Sequence, residues 1–172
     1  MPSYYTYLIS SLPMLHFGAK PSFGFDKFLQ ACQDKIPQEE IDIIKQAAFG
    51  FDYQGTQPTL EKWYVFDTAL RNELVKIRAA HRHIDPLKYI RRDESFSPSI
   101  AHIAINAHRN PSVLEAERML DQARWQRLDE LSLGHYFDLD YLIIYALKLQ
   151  ILERWQRINS ADKPQLISGV LS

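Results

Sequence analysis

Apolar positions recur along the chain at the three- and four-residue spacing of a helix face wherever the sequence is regular. One stripe begins at Trp63 and continues through Phe66, Leu70, Leu74 and Ile77. A second runs from Val113 to Leu131, and a third from Leu139 to Ile158. A strand competes with a helix at residues 4–9, where aromatic residues and isoleucine favour strands. No convincing pair of strands emerges, so the pattern predicts an all-α fold, a helical bundle of about seven helices.

Prolines and capping residues mark the predicted helix ends. Pro37, followed by two glutamates, predicts a helix that runs to about Phe49. A capping residue followed by proline opens three further helices. These pairs are Asp85-Pro86, Ser97-Pro98 and Asn110-Pro111. Gly134 is expected to stop the helix that ends near Leu131, Asp138 to cap the last helix, and Pro164 to lie beyond its end.

The length of 172 residues favours a single helical domain that spans residues 1–172. Residues 69–76 and 146–153 share an alanine–leucine–basic pattern within two long helices. Amphipathic helices share such patterns by chance, so two explanations stay open. The other explanation is a duplicated helical unit, with possible sub-units at 1–92 and 93–172. Repeated helical units usually build binding surfaces rather than catalytic pockets.

Composition narrows the class of protein without giving a function. Twenty Lys and Arg against 21 Asp and Glu leave a net charge of -1, which argues against nucleic acid as a partner. The single cysteine excludes an internal disulfide framework and a cysteine-based zinc site. The apolar stretch Leu139–Leu152 is broken by Asp140, Lys148 and Gln150, and the N-terminus lacks the features of a signal peptide. We expect a soluble, cytoplasmic protein without direct membrane insertion.

Candidate catalytic and metal-binding residues are weak. His81 and His83 are two positions apart and do not share a helix face, and His102 and His108 also line up poorly. Cys32 has no histidine close in sequence to activate it. We therefore expect no catalytic residue, no cofactor and no bound metal. An alternative stays open in which His81 or His135 acts with neighbouring acids in a small helical enzyme.

Charged residues suggest surfaces instead of active sites. Glu115 with Arg118, and Asp121 with Arg124, have the i, i+3 spacing of solvated ion pairs on a helix. Residues 71–92 hold seven Lys and Arg against two acids, a local charge of +5. An acidic protein partner is the favoured use of this segment. The residues predicted to contact it are Arg78, Arg82, Arg91 and Arg92.

Several blocks of the chain resemble one bacterial family, formally uncharacterised, whose members are encoded with the components of V/A-type ATPases. The longest blocks are Leu114–Trp125 with Leu128–Leu131, and Gly134–Asp140 with Tyr145–Trp155. Two further blocks, Tyr4–Pro13 and Leu70–Ala80, are similar to the same family.

The resemblance implies a counterpart of the ATPase's socket subunit, the helical component that seats the central shaft on the membrane ring. That socket is built from repeated helical units. The resemblance brings no catalytic motif and implies a non-catalytic component, with the central shaft and the membrane ring as partners. Such a protein would be peripheral at the inner membrane, where the ATPase transports protons or sodium ions. A helical adaptor or assembly factor for the ATPase is the alternative.

Overall fold

The computed structural model describes residues 5–50, 55–91 and 97–170, with side chains described as far as residue 161. This part of the chain contains seven α-helices and one short 3-10 helix but no strand, which confirms the all-α prediction. The α-helices are α1 Thr6–Ser11, α2 Phe25–Cys32, α3 Gln38–Phe49, α4 Pro58–Arg82, α5 Pro98–Arg109, α6 Val113–Leu131 and α7 Leu139–Val170. The 3-10 helix, Pro86–Lys88, lies between α4 and α5.

Contacts group the chain into two compact units. The terminal unit consists of Met1–Asp52 with Ser132–Ser172, and the central unit is Tyr53–Leu131. This division differs from sub-units at 1–92 and 93–172, because α4 packs against α5 and α6 from beyond residue 92. The echoing segments 69–76 and 146–153 lie in the long helix of each unit. The long helix comes first in the central unit and last in the terminal unit, so one repeated helix order does not relate the two.

The core of the central unit forms where the stripe of α4 meets two alanines of α5. Leu70 is fully buried against Ala104 and Ala107, and Leu120 of α6 closes the cluster. Small side chains at 104 and 107 allow close approach of the helix backbones, while larger side chains fill the margins. Those packed around the cluster are Phe66, Leu74, Ile77, Ile100, Ile103 and Ala116.

The terminal unit is organised around the first half of α7, which packs against α2 and α3. Every residue from Leu142 to Leu147 is buried, so this stretch of the helix is covered on all sides. Phe28 of α2 and Ile44 of α3 are also fully buried. The Tyr145 hydroxyl donates a 2.7 Å hydrogen bond to the Pro13 carbonyl, which satisfies the polar end of a buried aromatic residue.

Most predicted caps are present, although the capping atom differs at two of them. Asp85 Oδ1 accepts from the Leu87 backbone N–H at 3.0 Å, and Asp138 Oδ1 accepts from Tyr141 at 3.1 Å. Ser97 makes no such bond. Ahead of α6, the Ser112 hydroxyl caps the helix by accepting from the Glu115 N–H, so the capping side chain follows the Asn-Pro pair.

Two predictions about helix ends and faces are wrong. Helix α7 continues through Pro164 to Val170, because a proline removes the hydrogen bond of its own nitrogen without necessarily ending a helix. In α1 the buried residues are Leu8 and Ile9, whereas Tyr7 is 95% exposed. The aromatic residue was expected on the apolar face, but the helix turns its aliphatic residues inward instead.

Helix α2 is capped by a residue distant in sequence. The residue before it is Gly24, which has no side chain, and the Phe25 N–H donates to Glu153 Oε1 of α7 at 2.8 Å. A Cβ at position 24 would lie 2.5 Å from that oxygen. Glycine therefore leaves the space in which a carboxylate of α7 reaches the positive end of α2.

Removing this carboxylate should loosen α2 from α7. We expect Glu153→Ala to lower the free energy of unfolding by about 1–2 kcal/mol, because a charge-assisted cap on a partly buried N–H is lost. Urea unfolding followed by circular dichroism measures the change. The matched control is Glu61→Ala, at an exposed position in the first turn of α4, where the loss should be a few tenths of a kcal/mol. Equal losses in the two variants would contradict the capping role.

Candidate functional site

A cluster of charged side chains lies inside the central unit, between α4 and α6. Arg124 Nε is 2.7 Å from Asp67 Oδ1, and Arg124 Nη1 is 2.8 Å from Asp121 Oδ1. Arg71 Nε contacts the other oxygen of Asp67, also at 2.7 Å. The Asp121 side chain is 1% exposed and that of Arg124 11%, so the bridge between the helices is shielded from water.

This geometry corrects the prediction for the acidic and basic run of α6. Asp121 and Arg124 do pair at i, i+3, but the pair is buried because Asp67 of α4 adds a second carboxylate to the same guanidinium. Glu115 is exposed and forms no ion pair with Arg118 in the described part of the chain. The spacing within one helix predicts the pairing, whereas burial depends on the neighbouring helix.

The electrostatics of the cluster favour a structural role. Burial alone would raise the pKa of Asp67, but Arg124 and Arg71 outweigh it and hold that pKa below its ordinary value. Burial would likewise lower the pKa of Arg124, and the two carboxylates more than compensate. A general acid needs a carboxyl that holds a proton near neutral pH. Asp67 does the opposite, so the cluster joins two helices and does not exchange protons.

The stability of the protein should carry the signature of Asp67 at acid pH. The folded pKa lies below the unfolded one, so the stabilisation is complete above the ordinary carboxyl pKa of about 3.9 and is lost as the pH falls through the folded value. We expect Asp67→Asn to cost about 3 kcal/mol at neutral pH and to flatten the dependence of stability on pH below about pH 5. Urea unfolding at a series of pH values measures both effects.

The control for this prediction is Asp42→Asn, which changes an exposed carboxylate of α3. That variant should keep both the stability at neutral pH and the acid dependence of the unchanged protein. An Asp67→Asn variant that keeps the same slope as Asp42→Asn would show that the buried cluster does not control acid unfolding.

A second group of titratable side chains surrounds the start of α7 in the terminal unit. His135 Nδ1 is 2.6 Å from Asp138 Oδ2 and 3.8 Å from Asp140 Oδ2. Of the residues that the structure describes, these three could hold a metal ion, since their ligand atoms lie within 4.8 Å of one another. However, Asp138 already caps α7, and the positive end of a helix disfavours a cation. The arrangement acts as a helix cap extended by a histidine.

The sequence indicates His135 only as a possible enzyme residue and does not by itself connect it with both aspartates. The missed signal is the spacing His-x-x-Asp-x-Asp directly ahead of a long apolar helix. In that position a capping aspartate accepts from the first turn while its second oxygen is available to a neighbour. His135 is half-buried beside these acids, and its contacts to them serve the helix end.

The other candidate histidine, His81, lies on the surface of the central unit. It is exposed in the last turn of α4, and its ring centroid lies 6.0 Å from that of His108 in the last turn of α5. Helix C-termini favour basic side chains, and both helices end in a His-Arg pair. An exposed ring at a helix end does not match the enzyme alternative, which needs a histidine within a buried cleft.

Cys32 is fully buried at the end of α2, in accordance with its interpretation as a packing residue. Burial raises the pKa of its thiol to about 11, although nearby Lys35 lowers it slightly. A thiol that stays protonated is a poor nucleophile, because the thiolate is the reactive form.

Thiol labelling checks this directly. At about pH 8 the native Cys32 should react with a disulfide reagent on the order of a hundredfold more slowly than the same thiol in urea, because little thiolate forms and access is blocked. The reaction is followed by absorbance. The Cys32→Ala variant supplies the background rate. Comparable rates in the native and unfolded states would contradict the burial of this thiol.

The predicted partner-binding arginines lie on one stretch of the central unit. Arg78 and Arg82 are exposed or half-buried on α4, Arg91 is exposed after the 3-10 helix, and Arg92 lies outside the described residues. Other cations of the segment have local partners: Arg71 pairs with Asp67, and Lys76 Nζ lies 2.9 Å from Glu73 Oε1.

Those local pairs leave a smaller group of cations open to a partner. Within the described part of the chain, no ion pair involves the surface cations Arg78, Arg82, Lys88 and Arg91. The basic character that the sequence predicts is therefore concentrated in the second half of the segment.

Comparison with known proteins gives one match. A family model described as "Protein of unknown function (DUF2764)" matches residues 98–167, which include α5, α6 and most of α7. No curated protein matches the chain, and no solved structure matches it. Within the described residues, none of the helices combines the length and the apolar character needed to cross a membrane.

Proposed function

We propose that the chain is a non-catalytic component of a V/A-type ATPase, similar to the socket subunit that links the central shaft to the membrane ring. In this role the protein would act in the cytoplasm, held at the inner membrane through the complex. The observation that carries the proposal is the set of surface cations on α4 and after it that form no ion pair with any described residue. These residues lie within the charged segment that the sequence assigns to an acidic protein partner.

The architecture of the central unit suits a part that transmits force. A linking component must keep its shape under load, so its helices must not slide past each other. In this unit Arg124 ties α4 to α6 through two buried carboxylates, and the alanines of α5 seat it closely on α4. Sliding one helix along the other would leave a buried charge without its partner, at a cost of several kcal/mol.

The chemistry of the described residues also supports a binding protein rather than an enzyme. The buried carboxylates are held by arginines, the cysteine is buried with a raised pKa, and the histidine–aspartate group caps a helix. The longest blocks that resemble the ATPase-linked family lie within or overlap the matched segment 98–167.

Affinity purification of the tagged chain from its native cell tests the proposal. We expect head, shaft and ring components to follow the chain in a fixed ratio, measured by quantitative mass spectrometry. Recovery at a ratio well below one chain per complex would favour the assembly-factor alternative. Recovery of the chain alone, under conditions that keep the ATPase intact, would overturn the proposal.

Charge reversal on the basic surface should weaken this association. A triple change of arginine to glutamate should lower the yield of ATPase components at least about tenfold, because each reversal turns attraction into repulsion at an acidic partner. The changed residues are Arg78, Arg82 and Arg91. The matched control reverses three exposed lysines of the terminal unit and alters net charge equally. Those lysines are Lys20, Lys27 and Lys45. Equal yields from the two variants would exclude this surface.

A further inference from the structure

The segment that follows α4, residues 83–91, is held in a fixed conformation although it contains only one short turn of helix. It leaves α4 through His83, whose φ of 56° is left-handed, and the Ile84 N–H returns to the Ala79 carbonyl at 3.0 Å. Asp85 then accepts from the Leu87 N–H, and the Tyr89 N–H donates to the Pro86 carbonyl at 2.9 Å. We call this stretch the return segment.

A buried asparagine of α4 anchors the far end of the return segment. Asn72 is 5% exposed, and its Oδ1 accepts from the Arg91 N–H at 3.0 Å while its Nδ2 donates to the Arg91 carbonyl. Asn72 lies seven residues before Ala79, so the two attachment points on α4 are about 10 Å apart along the helix axis. The return segment is therefore fastened to α4 at both ends.

The fastened segment exposes the kinds of side chain that protein interfaces use. Leu87 is 74% exposed, Tyr89 61% and Ile84 44%. Lys88 and Arg91 are exposed between and beside them, and Arg82 precedes them. Tyrosine and arginine are enriched where interfaces derive their affinity, and aliphatic neighbours exclude water around them. Because the backbone is already ordered, a partner would not have to supply the entropy of ordering it.

We infer that the return segment is a preformed docking surface for an acidic, amphipathic segment of a partner protein. The cations that lack an ion pair within the described chain favour carboxylates, and the exposed apolar side chains favour an apolar stripe between those carboxylates. Leu87 and Ile84 favour a protein over nucleic acid, since aliphatic side chains gain little from phosphates. The inference rests on the proposed function, in which the partner is another component of the ATPase, and it assigns to Asn72 the role of a positioning residue.

Site-specific photo-crosslinking in the native cell tests the inference. A photoreactive amino acid replaces Leu87 in one variant and Val65, which is 53% exposed on α4, in the control. We expect the Leu87 position to crosslink to a peptide that contains several Asp or Glu residues around apolar ones, and the Val65 position to give no such product. A Leu87 product with RNA, with lipid or with a peptide poor in acidic residues would overturn the inference.

The outcomes separate this inference from the proposed function. If ATPase components co-purify but no crosslink forms at Leu87, the docking surface is wrong and the proposed function stands. If Leu87 crosslinks to an acidic peptide of a protein outside the ATPase, the docking surface stands and the proposed function falls.

Affinity for the crosslinked partner, made as a synthetic peptide, tests the individual residues. The double variant Leu87→Ala with Tyr89→Ala should bind at least about tenfold more weakly, whereas Val65→Ala should bind like the unchanged chain. Asn72→Ala keeps all exposed side chains but releases Arg91, so weaker binding with unchanged helix content by circular dichroism supports the positioning role. Full affinity in Asn72→Ala would overturn that role.

Discussion

The central unit depends on one guanidinium, that of Arg124, which lies between a carboxylate of α4 and a carboxylate of its own helix. A charge this deeply buried is acceptable only while its partners stay in place. The apolar contacts of the unit would tolerate small shifts of one helix along another. The ion pairs would not, because their donors and acceptors match at one position only. The cluster therefore selects a single alignment of α4 and α6, whatever its net contribution to stability.

The terminal unit reaches a defined structure by a different route. Its long helix, α7, is buried on all sides over Leu142–Leu147, so shape alone determines how α2 and α3 pack around it. Polar bonds operate at the margins: the Tyr145 hydroxyl holds the loop at Pro13, and Tyr5 donates to Glu40 at 2.6 Å. One chain thus combines an electrostatically aligned unit with one aligned mainly by packing.

Local signals in the sequence account for most of the fold and for little of the site. Periodicity and caps predicted α3, α4 and α6 closely, because a helix is built from contacts between near neighbours. The pairing of Asp121 with Arg124 also follows from spacing within one helix. What Asp67 contributes does not, since it lies on another helix, 57 positions away from Arg124. The same reason hid Asn72, whose role depends on Arg91, 19 positions later.

The contact between Gly24 and Glu153 links two positions that are distant in sequence but adjacent in the fold. The carboxylate oxygen lies within contact distance of the place where any other residue at 24 would put its first side-chain atom. Neither position can change freely while the other stays the same. Over evolutionary time a larger residue at 24 should be accompanied by a shorter one at 153. The two positions should therefore covary among related sequences, even though each separately looks like an ordinary loop glycine or surface glutamate.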